Sequence, residues 1–186
     1  MKTDARVIYT NNVLKNALLT CLEQKPLGKI TVSEVCSMAG VNRSTFYKHY
    51  DGCNELYEKI EKEQLEEFKN SLINCNLNAS LDVTYTIFNI KENQPYLCKL
   101  LAIESTHDGI LNKIIKITYD HCLPAWEKQM TNSTENERKV LLSFLIKGCV
   151  DTILNNDDDI SQEELISIFK RINKACMTVY LTAVNK

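Results

Sequence analysis

Hydrogen-bond donors and cations are concentrated in one short stretch of this 186-residue chain. A guanidinium, two hydroxyls, a phenol, an ammonium and an imidazole lie close together, at Arg43, Ser44, Thr45, Tyr47, Lys48 and His49. An arginine can pair bidentately with guanine, and a threonine can contact a thymine methyl group or a base edge. Tyr47, Lys48 and His49 can hold phosphate oxygens, and Thr31 can do so from the preceding segment. The pattern predicts contacts with duplex DNA, although Tyr47 could instead pack in a core and His49 could merely cap a helix.

Two short helices around a tight turn are predicted to position these side chains. Thr31 stands three residues before Glu34, which is the capping-box pattern of a helix start. Gly40 suits the positive φ at a helix end, and Asn42 is a good N-cap for a second helix over residues 43–50. A helix–turn–helix motif places the first residues of its second helix against base edges in the major groove.

The segment 32–56, VSEVCSMAGVNRSTFYKHYDGCNEL, resembles the DNA-binding head of the TetR/AcrR family of transcriptional regulators. The positions that fit the family pattern are Gly40, Val41, Thr45, Phe46, Tyr47, His49 and Tyr50, whereas Cys36 stands where alanine is usual. The match extends over roughly residues 6–57. It implies an all-α fold of about nine helices, with a helix-turn-helix DNA-binding domain at 1–51 and a helical regulatory and dimerisation domain at 52–186.

The distribution of charge agrees with a DNA-binding head, although the whole chain has a net charge of −2. Residues 1–50 hold 7 Lys/Arg and 3 Asp/Glu, a net of +4, and the remainder has a net of −6. Such asymmetry is expected when only the head contacts phosphate. The N-terminus lacks the apolar block of a signal peptide, and a cytoplasmic location is therefore expected.

Enzyme and metal functions have no motif in the sequence. It contains no GxSxG, P-loop, HExxH or GxGxxG pattern, and its three histidines lack ligand spacing. The eight cysteines form no CxxC pair, so we interpret them as small buried side chains, with redox sensing by one of them left open. We expect neither catalysis nor a metal or other cofactor.

Hydrophobic periodicity predicts the other helices, at about residues 4–23, 53–74, 80–93, 95–104 and 110–130, with two more starting near 134 and 161. The segment 105–109 is predicted to be a turn that exposes His107. Pro124 is expected to kink or end the helix that contains it.

The two closing helices are the predicted dimer interface. Their apolar stripes could pair within one chain or form a four-helix bundle with a second copy, and the family resemblance favours the second arrangement. The residues concerned are Leu141, Phe144, Leu145, Gly148, Thr152, Leu165, Phe169, Ile172, Cys176 and Val179. Glycine at position 148 costs about 1 kcal/mol of helix stability against alanine. Close approach of a partner helix or crowding within the chain would explain it equally well.

The middle helices are candidates for a ligand pocket, because such pockets are mostly apolar with few polar groups. The candidate lining residues are Tyr85, Phe88, Tyr96, His121 and Trp126, and the alternative is that they form ordinary core. The resemblance implies a repressor that binds a palindromic operator in double-stranded DNA as a homodimer and is released by a small, hydrophobic effector. The other hypothesis is a DNA-binding adaptor or co-activator that is controlled by a protein partner without such an effector.

Overall fold

The computed structural model describes residues 5–74, 90, 91, 93–155 and 160–181. Within these ranges the chain forms eight α-helices and one short 3-10 helix, Leu27–Lys29, and no strand. The helices are α1 Ala5–Leu22, α2 Val32–Ala39, α3 Arg43–Phe46, α4 Cys53–Asn74, α5 Pro95–Ala102, α6 Glu104–Gln129, α7 Glu135–Leu154 and α8 Gln162–Leu181. The predicted all-α class is confirmed. Most of the helix predicted at 80–93 lies outside the described residues.

The chain divides into two compact units. Unit 1 comprises Met1–Gln64 and Lys99–Ile110, and unit 2 comprises Leu65–Cys98 and Leu111–Lys186. The functional boundary that the sequence predicts after residue 51 stays a prediction.

Apolar side chains from the first four helices form the core of unit 1. The residues with the least exposure are Leu14, Leu18, Leu19, Val35, Phe46, Leu56 and Ile60. Phe46 and Tyr50 are also both buried, so the short helix α3 and the turn after it are fixed from one side. Burial of a large apolar side chain stabilises a fold by about 1.5–3 kcal/mol.

The local signals of α2 act as predicted, whereas those of α3 do so only in part. Thr31 and Glu34 form a complete capping box, and Gly40 ends α2 with φ of 65°. Asn42 occupies the N-cap position of α3, but its side chain makes no capping hydrogen bond. Helix α3 is shorter than predicted, because the N–H groups of Lys48 and His49 bond to carbonyls three residues back, which tightens the chain into turns.

The junction between α5 and α6 contradicts the prediction of a turn at 105–109. Helix α6 already begins at Glu104. The hydroxyl of Thr106 donates to the Leu100 carbonyl at 2.5 Å, and Nδ1 of His107 donates to the Leu101 carbonyl at 2.6 Å. These side chains satisfy carbonyls at the end of α5, so the chain needs no separate loop. His107 is consequently half-buried rather than exposed.

Pro124 does not end its helix, so that part of the prediction is wrong. It lies inside α6, which continues to Gln129. A proline removes only one backbone donor, and here the helix continues for little more than a turn beyond it. The prediction of a helix start near Thr134 is confirmed by a second complete capping box, with Glu137.

In unit 2, one side of α7 and one side of α8 are buried. The buried apolar residues are Leu142, Leu145, Ile146, Cys149, Val150 and Ile153 on α7, and Leu165, Phe169 and Met177 on α8. No helix in the described part of the chain has both the length and the apolar character needed to cross a membrane.

Candidate nucleic-acid interface

Helix α3 and the turn after it present their polar side chains away from the core. Arg43, Ser44 and Lys48 are exposed, and 56% of Tyr47 is exposed. The Tyr47 ring meets the Phe46 ring in an edge-to-face arrangement, at 5.7 Å between centroids. Tyr47 therefore does not pack inside the core, which leaves its hydroxyl accessible to a binding partner.

Thr45 and His49 are half-buried. The His49 ring lies 6.2 Å from the ring of Tyr50, with the planes tilted by 39°. The imidazole therefore lies on the same segment as the exposed cations of Arg43 and Lys48. Both residues can use the exposed part of their side chains for hydrogen bonds.

Arg43 makes a hydrogen bond that spans the turn between α2 and α3. Its Nη2 donates to Oγ of Ser33 at 2.6 Å, and both side chains are exposed. Sequence analysis missed Ser33, because a separation of ten residues gives no periodic signal. The hydroxyl at the second position of α2 was the only feature that could have suggested it.

Thr31 is exposed, but its hydroxyl is already engaged in the capping box. Oγ1 donates to the Glu34 carboxylate at 2.8 Å and accepts from the Glu34 N–H at 3.3 Å. A hydroxyl has a single proton to donate, so contact with a phosphate would require Thr31 to release Glu34. The Lys25 ammonium, and then Thr31, lower the pKa of Glu34 to about 2.

Two contacts join α1 and α4 to the segment that follows α3, and a third joins α1 directly to α4. The Tyr50 hydroxyl donates to Oδ1 of Asn11 at 3.1 Å, and Nζ of Lys59 lies 5.2 Å from the centre of the Tyr50 ring. Lys15 on α1 forms an ion pair with Glu63 on α4. Burial raises the pKa of Tyr50 to about 12. The head is therefore packed directly against the beginning of α4.

Three cysteines of unit 1 are buried. Cys21, Cys36 and Cys53 are free thiols with little exposure, and burial raises the pKa of each one. A raised pKa lowers the fraction of reactive thiolate. The described residues contain no cluster of three metal-ligating side chains.

The predicted dimer residues differ in their exposure within the protomer. Leu145, Leu165 and Phe169 are buried within the protomer and have little surface left for a partner. Leu141 and Cys176 are half-buried, and Gly148 and Thr152 are exposed. The apolar side chains that remain exposed are Phe144 at 64%, Ile172 at 42% and Val179 at 72%.

The sequence analysis missed Val140, which is 69% exposed and lies one helical turn before Phe144. Both residues line a cleft of about 520 Å³ along α7 and a second cleft of about 370 Å³ that also includes Tyr180. The spacing of four from Phe144 was the signal that could have revealed Val140.

The predicted ligand residues are only partly described. Tyr85 and Phe88 lie outside the described residues. Tyr96 is half-buried, and Trp126 is buried at 2% exposure. His121 is half-buried, and its Nε2 has no hydrogen-bond partner within the part of the chain that the structure describes.

Comparison with solved structures identifies the architecture. The dihydroxyacetone kinase operon activator DhaS matches at 17% identity and a TM-score of 0.52, over 93% of this chain and 97% of that one. The fatty acid degradation regulator FadR from Bacillus halodurans matches at 12% identity and a TM-score of 0.60, over 100% and 99% of the two chains. The chain has the fold of helical transcriptional regulators.

A third structure with this fold is a putative transcriptional regulator from Pseudomonas aeruginosa PAO1. It is 15% identical, with a TM-score of 0.53 over 91% of each chain. No family model matches the sequence, and no curated protein does. The architecture implied by the resemblance of the head is thus confirmed at the level of the fold.

Proposed function

We propose that the chain is a DNA-binding transcriptional regulator of the TetR/AcrR type. The observation that carries the proposal is the division of α3 and its turn into two sides. Phe46 and Tyr50 face the core, whereas Arg43, Ser44, Tyr47 and Lys48 remain accessible. The accessible groups are those that read base edges and hold phosphates. Thr45 and His49 complete the proposed contact set, and Thr31 joins it if DNA displaces its bond to Glu34.

We propose that two copies bind a palindromic operator. One head is small, and helix-turn-helix proteins obtain a sufficient contact area by placing two heads about 34 Å apart on adjacent major grooves. The dimer surface proposed here consists of four exposed apolar side chains, Val140 and Phe144 on α7 and Ile172 and Val179 on α8. Exposed apolar surface is typical of interaction sites.

Gly148 supports the same surface. A Cβ atom built on it meets no atom within 4 Å in the described protomer. Crowding by the described residues of the chain therefore does not account for glycine at this position. Its location in the cleft with Val140 and Phe144 suits the close approach of a partner helix.

Substitution of Phe144 with arginine tests the dimer. Burying the exposed part of this ring should contribute about 1–2 kcal/mol per copy and about 2–4 kcal/mol per symmetric dimer. The dissociation constant of the dimer should rise roughly 30- to 1000-fold, as measured by sedimentation equilibrium. Ile73→Arg on α4, where Ile73 is 56% exposed, is the matched control and should leave association unchanged. A dimer as tight as wild type in Phe144→Arg would refute the proposed surface.

We propose further that the regulator is a repressor released by a small hydrophobic molecule bound in unit 2. Nε2 of His121 supports this, because it has no hydrogen-bond partner among the described residues. A buried polar atom without a partner costs about 1–3 kcal/mol. A bound molecule with one polar group would remove that cost. Trp126 is the only tryptophan of the chain and one of the predicted lining residues, so its fluorescence provides the measurement. If no hydrophobic compound altered Trp126 emission or DNA affinity, control by a protein partner would become the better hypothesis.

The DNA-binding function is tested by selection of duplexes from a random-sequence pool with the purified chain. We expect enrichment of an inverted repeat whose two half-sites are one helical turn apart. Fluorescence anisotropy with the selected duplex should show tight binding that weakens steeply with salt. A chain with no salt-sensitive affinity for any duplex would refute the proposed function.

A further inference from the structure

The hydrogen bond between Arg43 and Ser33 joins the two helices of the motif. Ser33 lies on α2, and Arg43 is the first residue of α3. The distance of 2.6 Å from Nη2 to Oγ is short for this pair of atoms, and both residues lie on the exposed side of the head. Long exposed side chains normally sample many rotamers, and this hydrogen bond favours one orientation of the Arg43 guanidinium.

The remaining donors of Arg43 are sufficient to recognise a base. A guanidinium has five N–H donors, and Ser33 accepts only one of them. If Ser33 takes the hydrogen of Nη2 on the Nε side, the edge formed by Nη1 and Nη2 stays free. If it takes the other hydrogen, the edge formed by Nε and Nη2 stays free. In both cases one edge with two parallel N–H groups remains, which is what bidentate pairing with guanine O6 and N7 requires.

We propose that Ser33 is a positioning residue that sets the orientation of Arg43 before DNA arrives. The inference rests on the proposed DNA-binding function and adds a determinant of sequence specificity to it. Holding the guanidinium in place lowers the entropy lost when it pairs with a base. The benefit applies only where the base offers two acceptors. Ser33 should therefore strengthen binding to the operator more than binding to unrelated duplex.

A double-mutant cycle tests this role. The variants are Ser33→Ala, Arg43→Ala, the double variant and Ser33→Thr, with Ser167→Ala on α8 as the matched control. The probes are the duplex selected by the wild-type chain and an unrelated duplex of equal length, both measured by fluorescence anisotropy. Thermal unfolding of each variant shows whether the head is still folded.

We expect Ser33→Ala to weaken operator binding by about three- to tenfold, tenfold being 1.4 kcal/mol. Binding to the unrelated duplex should change less than twofold. In the Arg43→Ala background, removal of the Ser33 hydroxyl should have no further effect. Ser33→Thr keeps the acceptor and should restore operator affinity, and Ser167→Ala should behave as wild type.

Two results would overturn the positioning role while leaving the proposed function intact. An equal loss on both duplexes that persists in the Arg43→Ala background would show that Ser33 contacts phosphate itself. No loss in Ser33→Ala, with the wild-type chain still binding the operator, would show that the hydrogen bond is irrelevant. Absence of any duplex binding by the wild-type chain would instead refute the proposed function.

Discussion

Replacement of Lys48 with alanine should reduce the salt dependence of DNA binding by an amount that can be calculated. Lys48 is exposed in the turn after α3, and its neighbours Phe46 and Tyr50 hold that turn against the core. The ammonium is thereby presented on the proposed DNA side of the head. A contact with phosphate carries no sequence information, so the loss should be similar for operator and unrelated duplex.

The magnitude follows from counterion release. Each neutralised phosphate contributes about −0.9 to the slope of log K against log salt concentration. A symmetric dimer loses two Lys48 contacts, and the slope should become less negative by about 1.8. Between about 50 and 200 mM salt, wild-type affinity should consequently fall roughly tenfold more than that of Lys48→Ala. A change of about 0.9 would indicate that only one head is engaged.

Fluorescence anisotropy titrations with the selected duplex over this range of salt concentrations measure the slope. Lys116→Ala is the matched control, because Lys116 is an exposed lysine on α6 and its removal changes the net charge equally. The control should keep the wild-type slope. Equal slopes for Lys48→Ala and wild type would refute the phosphate contact.

Two further predictions concern stability. The folded-state pKa of Glu34, about 2, lies below its ordinary value of 4.5. Its contribution to the free energy of unfolding is therefore present above about pH 4.5 and is lost as the pH falls towards 2. At neutral pH, Glu34→Gln should unfold at a lower temperature than wild type. Acidification should lower the unfolding temperature of Glu34→Gln less than that of wild type, as measured by circular dichroism. Equal decreases in the two proteins would contradict this. Gly148→Ala in the monomeric Phe144→Arg background should raise the free energy of unfolding by up to about 1 kcal/mol, because no atom of the described residues obstructs a Cβ atom. In the otherwise wild-type dimer the same change should weaken association in sedimentation equilibrium, and a tighter dimer would exclude close helix contact at Gly148.

The features predicted correctly from sequence are those fixed by neighbouring residues. The capping boxes at Thr31 and Thr134 and the end of α2 at Gly40 depend on groups within a few positions of each other. The burial of Phe46 and Tyr50 follows from their spacing of four. Such short-range patterns leave few alternative structures, so inspection of the sequence is sufficient.

The features that were missed depend on contacts without a regular period. Thr106 and His107 satisfy carbonyls of α5 from the first turn of α6, and this made a helix where a turn was predicted. The Ser33–Arg43 bond crosses a turn. Neither arrangement alters hydrophobic periodicity, which was the signal used to place the helices.

The predicted dimer stripe contains both buried and exposed residues for a related reason. Helix α7 carries apolar residues around most of its circumference, including the exposed pair Val140 and Phe144 and the buried pair Leu142 and Leu145. Periodicity shows that such a helix is covered on more than one side. It does not show which side is covered by the helix's own chain, because a partner helix presents the same kind of surface.

The shortness of α3 limits how the proposed DNA-reading surface can be regulated. A helix of four residues has no stability of its own, so its position is set by the side chains that anchor it. Those anchors include Tyr50, which contacts Asn11 on α1 and Lys59 on α4, and the ion pair of Lys15 with Glu63 joins the same two helices. A signal arriving along α4 would have to break these contacts to reshape α3, whereas moving the head together with the first part of α4 as one body breaks none of them. Because packed cores transmit displacement better than they deform, control of operator binding should operate through the spacing of two heads and not through the shape of each.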